Sequence, residues 1–314
     1  MDLTIGVDVG GTKFAAGAVD ASGRIVEKVR VQTPATTAQA VEDGIVEAIQ
    51  RLQQNHAATA VGLAVAGFVD ELRATLRFAA NLPMEDRPLR ETIGARVGLP
   101  VVVENDANAA AWGEHRFGGG RENPEMCLVT VGTGLGGGIV LRGDLVRGAF
   151  GVAAEFGHLR LVPHGRPCPC GNHGCWEQYC SGSALMREAQ ALCRRDPAAG
   201  AALLERAGQD ADAVTGSMIT DAALAGDPAS VGLLAELGFW LGEGVASLAV
   251  VLDPATVVVG GGVSEAGDLL LGPAREAYAA ALSGGSHRPH LRITPATLGN
   301  DAGLIGAGDL ARRP

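Results

Sequence analysis

The chain has 314 residues, a length that fits two domains or one large two-lobed fold better than a single ordinary core. Hydrophobic residues make up 47% of it and charged residues 19%, which is typical of a globular protein and excludes a disordered one. The formal net charge is -10 and no run of Lys and Arg occurs, so we expect no nucleic acid partner.

The N-terminal stretch MDLTIGVDVGGT predicts a cytoplasmic protein. It has an acidic second residue and an early glycine turn, where a secretory signal peptide has a basic start and a long apolar stretch. We also find no run of about eighteen apolar residues, which a membrane span requires, and therefore expect no membrane partner.

The first part of the chain reads as strands and helices separated by glycine turns. The runs Leu3 to Val7 and Phe14 to Val19 flank the turn VDVGGTK, which predicts a hairpin. Residues 37–54 carry an apolar stripe at helical spacing, and AVGLAVAGFVD then returns as a buried strand. A short strand at 99–103 precedes the alanine-rich helix ANAAAWGEH, so the sequence END lies between a strand and a helix.

The same arrangement begins again near residue 126. CLVTV runs into the glycine turn GTGLGGG, and IVLRGDLV follows as one extended segment. Residues 233–251 form a helical tract, and the strand TVVVGGGVS follows it. The repeat predicts a duplicated α/β unit, with a small lobe of residues 1–110 and a large lobe of residues 111–301. The final helix, within 302–314, is expected to return to the small lobe.

Glycine-rich loops follow three of these strands and could hold phosphate, because glycine leaves backbone N–H groups unobstructed. Asp8, at the end of the first strand, is suited to Mg²⁺ or its waters, since hard cations prefer carboxylate oxygen. A plain hairpin turn explains any one loop about as well, but the repetition favours a nucleotide site. The loop residues are Gly10, Gly11, Thr12 and Lys13, then Thr133 and Gly134, then Gly260, Gly261 and Gly262.

Two other nucleotide motifs are excluded by their context. Gly132, Gly134 and Gly137 match the dinucleotide fingerprint G-x-G-x-x-G, but that fingerprint requires a helix after the glycines, whereas residues 139–146 are β-branched and apolar. A P-loop requires Gly-Lys followed by Ser or Thr, which does not occur.

Three of the six cysteines lie in the stretch CPCGNHGCWE, at residues 168–177. In a reducing cytoplasm clustered cysteines are more often metal ligands than disulfides. Cys168, Cys170 and Cys175 supply three thiolates, and tetrahedral zinc needs one further N or S ligand, for which His158, His164 and His173 are near enough in sequence. A redox dithiol is the alternative, but C-P-C differs from the usual C-x-x-C arrangement.

The sequence Glu104-Asn105-Asp106 contains carboxylates at a strand end, where a side chain can face a cleft and accept a proton. Asn and Asp are also favoured residues at the start of a helix, so a capping role for Asn105 or Asp106 explains the pattern equally well.

Taken together, these motifs resemble the ROK sugar kinases of the hexokinase and actin-like ATPase superfamily, which have a two-lobed, RNase H-like fold. The resemblance covers nearly the whole chain. It rests on DVGGTK at residues 8–13, END at 104–106, GTGLG at 132–136, EFGH at 155–158 and the cysteine cluster.

The resemblance implies ATP-dependent phosphorylation of glucose at its 6-hydroxyl, with Mg²⁺ at the phosphates and a structural Zn²⁺. Asp106 would be the base, and His158 would complete the zinc site with Cys168, Cys170 and Cys175. The implied sugar contacts are Gly67, Asn81, Asn105, Asp106, Glu155, His158 and Glu177. A homodimer or homotetramer is expected.

Other members of the same family share these motifs. A kinase for N-acetylglucosamine or N-acetylmannosamine would carry every motif named, because the choice of sugar depends on the shape of the pocket. A polyphosphate-dependent enzyme is disfavoured by the loop Gly-Gly-Thr-Lys-Phe, which lacks the extra glycine of that group. A sugar-sensing repressor carries a helix-turn-helix ahead of the first glycine loop, and that loop begins here by residue 10.

Overall fold

The computed structural model describes residues 2–34 and 36–313 and is built of strands and helices in alternation. The strands are β1 Leu3–Val9, β2 Lys13–Val19, β3 Ile25–Gln32, β4 Ala58–Val65, β5 Phe68–Val69, β6 Leu76–Phe78, β7 Glu85–Arg87, β8 Val101–Asn105, β9 Met126–Val131, β10 Leu135–Leu141, β11 Asp144–Leu145, β12 Thr256–Gly260 and β13 Arg292–Pro295. The helices are α1 Ala38–Gln53, α2 Leu89–Val97, α3 Asp106–Phe117, α4 Gly182–Arg195, α5 Ala201–Arg206, α6 Gly216–Leu224, α7 Pro228–Leu252, α8 Asp268–Ala281 and α9 Ala302–Leu310.

Two five-stranded sheets repeat the same order of strands, which confirms the predicted duplication. The first is ordered β3-β2-β1-β4-β8 and the second β11-β10-β9-β12-β13. In the first sheet β1 and β2 form the antiparallel hairpin, and β4 and β8 continue it in parallel. Parallel neighbours bring their carboxyl ends to one edge, so Asp8, at the end of β1, and Asn105, at the end of β8, lie at the same edge.

The contacts divide the chain into two compact units. Unit 1 comprises Met1–Leu128, Gly138–Ala154 and Thr297–Pro314, and unit 2 comprises Val129–Gly137 and Glu155–Ala296. The lobes expected from the sequence, 1–110 with 302–314 and 111–301, have different bounds. The difference arises because α3 packs on α9, where a Cβ atom on Gly113 would lie 2.5 Å from the Ala302 carbonyl oxygen.

Unit 1 holds its last helix, α9, through close backbone contacts. A Cβ atom on Gly6 or Gly62 would overlap a carbonyl oxygen of α9, so the helix lies directly on the middle strands of the first sheet. On the other face of that sheet, α1 and α2 bury an apolar core against β1, β4 and β8. This packing fixes the strand ends that carry the candidate site.

The segment IVLRGDLV was expected to be one extended strand, and that expectation is wrong. The structure divides it into β10 and β11, which pair antiparallel at Val140 and Leu145. Arg142 and Gly143 have φ values of 54° and 79° and make a tight turn between them. The sequence signal was the single glycine, which supplies the left-handed backbone that such a turn requires.

Helix α7 qualifies the expectation that the chain holds no stretch able to span a membrane. It has 25 residues and is long and apolar enough for a span by length and composition. More than half of its most apolar part is buried within the protein, and a Cβ atom on Gly238 would lie 2.5 Å from the Leu270 carbonyl oxygen of α8. The core helices of folded proteins have the same composition, so α7 is weak evidence for a membrane span.

Candidate active site and metal centre

The start of α3 separates the two roles that the sequence left open between Asn105 and Asp106. Asn105 is the N-cap, because its Oδ1 accepts a hydrogen bond from the Asn108 backbone N–H at 3.0 Å. Its Nδ2 donates to the Gly67 carbonyl oxygen at 3.1 Å. Asp106 is the first residue of the helix, and its carboxylate accepts hydrogen bonds from backbone N–H groups at the helix start, including that of Ala107.

Glu104 is the buried anchor beneath this helix start, with a relative exposure of 3%. Its Oε2 accepts a hydrogen bond from Arg147 Nε at 2.7 Å and lies 3.7 Å from Arg73 Nε. Its Oε1 accepts from Asn108 Nδ2 and from the Asn105 backbone N–H, each at 3.3 Å. Ion pairs and backbone bonds thus fix the residue two positions before Asp106.

The carboxyl groups of Asp8 and Asp106 are both shifted toward the protonated form. Burial raises the pKa of Asp106. Burial and the neighbouring charge of Asp106 raise the pKa of Asp8 to about 7, although Lys28, which is paired with Asp301, opposes that shift. A buried carboxylate with this pKa is suited to a divalent cation, whose charge would restore the ionised form. Asp8 therefore has the chemistry expected of a Mg²⁺ site.

The first glycine loop is a hairpin turn packed against the segment that carries Asn81. A Cβ atom on Gly11 would lie 2.8 Å from the Asn81 carbonyl oxygen, so glycine is needed for this approach. The loop is tied to the end of β3, because Thr33 Oγ1 donates to the Gly10 carbonyl oxygen at 2.7 Å. Within unit 1 the structure therefore brings the loop of residues 10–13 next to the predicted sugar contact Asn81.

In unit 2 the second and third glycine loops lie side by side. Gly261 has a φ of 85°, and a Cβ atom there would overlap the Val131 carbonyl group just before the second loop. That loop caps α4, since the Gly182 and Ser183 N–H groups donate to the carbonyl oxygens of Gly132 and Thr133 at 2.7 and 3.2 Å. Thr133, Gly134 and residues 260–262 therefore form one cluster.

Glu177, a predicted sugar contact, lies beside the second glycine loop and the cysteine cluster. A Cβ atom on Gly134 would be 3.2 Å from Glu177 Oε2. Its other oxygen, Oε1, is 3.1 Å from Cys168 Sγ and 3.9 Å from His158 Nδ1. Glu155, another predicted contact, precedes the short 3-10 helix Phe156–His158 that carries His158.

The cysteine cluster has the geometry of a four-ligand metal site. The ligand atoms of His158, Cys168, Cys170 and Cys175 all lie within 4.8 Å of one another. Cys170 Sγ and Cys175 Sγ are 3.6 Å apart, and Cys168 Sγ is 3.8 Å from His158 Nδ1. A tetrahedron with Zn–S bonds of about 2.3 Å has edges of roughly 3.8 Å, so these two separations are close to those of a zinc site.

The histidine that joins the cluster is the one that the family resemblance implied. His158 contributes Nδ1, whereas His164 and His173 are outside the group of ligand atoms in the part of the chain that the structure describes. Burial raises the pKa of the Cys168 thiol to about 12, and a bound cation would favour its thiolate form. The donor set of one imidazole and three sulfurs is typical of structural zinc.

Sequence reasoning missed the residues that hold the site from a distance. Arg73 and Arg147 flank Glu104, and Arg73 also donates to the Leu310 and Arg313 carbonyl oxygens. Neither arginine lies in a recognisable motif, and only the positive φ of Arg73 (59°) marks it as unusual. Trp176 is likewise fully buried, and the sequence indicated only that an aromatic residue follows Cys175.

Comparison with known proteins gives a single family. The ROK family model matches residues 4–314. A glucokinase of Streptomyces coelicolor is 50% identical over 314 residues, which is 100% of this chain and 99% of that protein. An N-acetylmannosamine kinase of Escherichia coli O157:H7 is 34% identical, with 98% of each chain covered.

Among solved structures, a ROK family glucokinase from Streptomyces griseus in complex with glucose and AMPPNP has a TM-score of 0.91 and 50% identity. The alignment covers 99% of this chain and 100% of that one. The repeated sheets and the similarity to this structure define a sugar kinase fold of the hexokinase and actin-like ATPase type. The chain belongs to the ROK family.

Proposed function

We propose that the protein is a glucokinase, which transfers a phosphoryl group from ATP to the 6-hydroxyl of glucose. The observation that carries this proposal is the 50% identity over the full chain to glucokinases, one of which was solved with glucose and AMPPNP. The position of Asp106 as the first residue of α3, where Asn105 supplies the N-cap, agrees with it.

Asp106 is the proposed base. Its carboxylate accepts the proton of the sugar hydroxyl as the new bond to phosphorus forms and the bond to the ADP oxygen breaks. Orientation matters more than basicity here, because in a loose transition state the hydroxyl loses its proton late. The Asn105 cap and the Glu104 ion pairs supply that orientation.

The proposed sugar contacts use amides and carboxylates, which can bind adjacent hydroxyl groups. Asn105 keeps one lone pair and one N–H for the sugar, since its cap bond and its bond to Gly67 each use only one. The Gly67 carbonyl oxygen accepts a hydrogen bond from Asn105, so Gly67 helps to orient a proposed sugar contact. The full proposed set is Gly67, Asn81, Asn105, Asp106, Glu155, His158 and Glu177.

ATP is the proposed phosphoryl donor, bound by the three glycine loops, with Asp8 holding Mg²⁺ or its waters. No neighbour lies within 4 Å of a Cβ atom placed on Gly132 or Gly262, which leaves room for a phosphate group beside these residues. The proposed contacts are Asp8, Gly10, Gly11, Thr12, Lys13, Thr133, Gly134, Gly260, Gly261 and Gly262. Mg²⁺ neutralises phosphate charge when bound.

A structural Zn²⁺ is proposed at His158, Cys168, Cys170 and Cys175. All four positions of a tetrahedral ion would be filled by protein, so the ion stiffens the loop and takes no part in the reaction. Because His158 presents Nδ1 to the cluster, its Nε2–H is left to donate to a sugar hydroxyl. Glu177, beside Cys168, is fixed by the same loop.

The experiment that tests the function is ADP release with ATP and Mg²⁺ against glucose, N-acetylglucosamine, N-acetylmannosamine and fructose. In a parallel series polyphosphate replaces ATP, and formation of the sugar phosphate is measured because this donor yields no ADP. A strong preference for glucose with ATP supports the proposal. Turnover of only an N-acetylated amino sugar would show that glucose is not the substrate. No turnover with any of the sugars would favour a sugar-sensing protein.

The second candidate is an N-acetylmannosamine kinase, which the 34% identical relative favours. The identity to glucokinases is higher, at 50%, so we propose glucose as the substrate ahead of N-acetylmannosamine. We further propose a cytoplasmic homodimer or homotetramer, for which light scattering on the purified protein is the direct measurement.

A further inference from the structure

Trp176 lies between a proposed zinc ligand and a proposed sugar contact, yet the proposed function gives it no task. It directly follows Cys175 and precedes Glu177, and its side chain has a relative exposure of 0%. It is the largest of the fully buried side chains in the described part of the chain. A residue at this position can fix both neighbours through one anchor.

The backbone of Trp176 joins the segments that carry the ligands. Its N–H donates to the Leu159 carbonyl oxygen at 2.8 Å, one residue after His158. Arg160 and Cys175 form an antiparallel bridge at the same place. The histidine and the third cysteine are therefore held in register by main-chain bonds on both sides of Trp176.

The side chain of Trp176 attaches this pair of segments to α7. Its Nε1 donates to the Trp240 carbonyl oxygen at 2.8 Å. The six-membered part of the indole lies on Gly244, where a Cβ atom would overlap ring atoms Cε2 and Cζ2. The backbone φ of Gly244 is negative, so the glycine serves the close approach of the ring and not an unusual backbone conformation.

We propose that Trp176 is a positioning residue that fixes the zinc ligands and Glu177 relative to α7. The indole does so by packing on Gly244. This inference rests on the proposed function, since it concerns the same zinc and glucose sites. It requires that disturbing the indole from either side changes zinc retention and glucose binding together. The hydrogen bonds of Trp176 go to Leu159 and Trp240 and not to the proposed ATP contacts, so ATP binding is expected to change less than glucose binding.

Two variants disturb the same contact from opposite sides. Trp176→Phe removes the donor to Trp240 and the outer ring atoms, and Gly244→Ala leaves Trp176 intact but forces its ring away. Gly232→Ala is the matched control, because this glycine lies on the same helix and a Cβ atom there meets no neighbour within 4 Å. Zinc affinity is measured by competition with a chromogenic chelator, and kinetics with glucose and ATP varied separately.

Both variants are expected to weaken zinc binding by about tenfold, as is typical of residues behind metal ligands. The KM for glucose should rise by about tenfold and the KM for ATP should stay within about twofold. In a double variant that combines Trp176→Phe with Gly244→Ala, the Gly244→Ala change should have less effect than it has alone. The reason is that Phe lacks the indole atoms that the alanine methyl group would meet.

Unchanged zinc affinity in Trp176→Phe, or equal shifts of the two KM values, would overturn the proposal and leave Trp176 as a core residue only. Gly232→Ala behaving like Gly244→Ala would overturn it as well. The zinc measurement requires no turnover. If the parent protein fails to phosphorylate glucose, the proposed function fails, while the effect of the indole on the metal site is still decided.

Discussion

The start of α3 and the cysteine loop hold their functional groups by different means. At α3, Glu104, Asn105 and Asn108 bind one another, and Glu104 also pairs with two arginines, so protein groups supply most of the partners. In the loop, three sulfurs and an imidazole lie within 4.8 Å and have mainly one another as partners. The first arrangement is held by contacts within the protein, whereas the second is the one proposed to hold an ion.

Asp106→Asn tests the first region most sharply. We expect kcat to fall by about 10²- to 10⁴-fold, because the variant keeps the shape of the side chain but cannot accept the proton. Glucose affinity should stay within a few fold. Steady-state kinetics and glucose titration measure both, with the exposed Asp144→Asn as the control in the same unit. Retention of most of the activity would mean that Asp106 is only part of the helix start.

The raised pKa of Asp106 adds a pH signature to that variant. Since the base must be ionised, kcat of the parent should fall as the pH falls. This fall should occur at a pH above 3.8, the ordinary pKa of an aspartate carboxyl group. The folded state also binds this proton more tightly than the unfolded state, so the stability contributed by protonation is lost as pH rises through the folded pKa. Asp106→Asn should therefore be at least as stable as the parent at neutral pH in thermal melts, and a clear loss of stability would contradict the burial argument.

Cys170→Ser tests the second region. We expect the variant to lose its zinc, from about one ion per chain, and with it thermal stability and glucose affinity. Cys193→Ser is the matched control, because Cys193 is buried outside the cluster and should leave the metal content unchanged. Metal analysis and melting curves are the measurements. A Cys170→Ser protein with full zinc would contradict the ligand assignment.

Glu104→Gln tests the ion pairs that hold the start of α3. The change removes the negative charge between Arg73 and Arg147 and leaves two partly buried cations without a counter-charge. We expect a loss of about 3 kcal/mol in the free energy of unfolding, measured with urea. Asp212→Asn breaks an exposed pair with Arg194 and should cost less than about 1 kcal/mol. Equal losses would mean that burial of the Glu104 pairs does not matter.

Thr12→Ala should have the smallest effect. Loss of one hydroxyl donor to phosphate corresponds to about 1 kcal/mol, or roughly a fivefold rise in the KM for ATP, with the KM for glucose nearly unchanged. Thr12→Ser keeps the hydroxyl and should behave like the parent. An equal rise for glucose would argue that the loop of residues 10–13 supports Asn81, against which Gly11 packs, more than it binds ATP.

Much of the fold could be read from local patterns, because strands that end in glycine turns leave a clear signal. The first hairpin, α1 and α3 were predicted within a few residues of their observed bounds. The turn that separates β10 from β11 was missed, since one glycine in an apolar run gives little warning of a change in direction. The small sheet of β5, β6 and β7 was missed because its strands have only two or three residues.

The sequence by itself determined the family, the glycine loops that we propose to bind phosphate and the cysteine cluster that we propose to bind zinc, since these depend on residue types at fixed spacing. Only the tertiary structure decided that Asn105 is the N-cap and Asp106 the first residue of α3, because both residues suit either role locally. It also placed His158 among the sulfurs, Arg147 on Glu104 and the indole of Trp176 on Gly244. Those contacts join residues far apart in the chain, and their distances are set by packing, which no local pattern records.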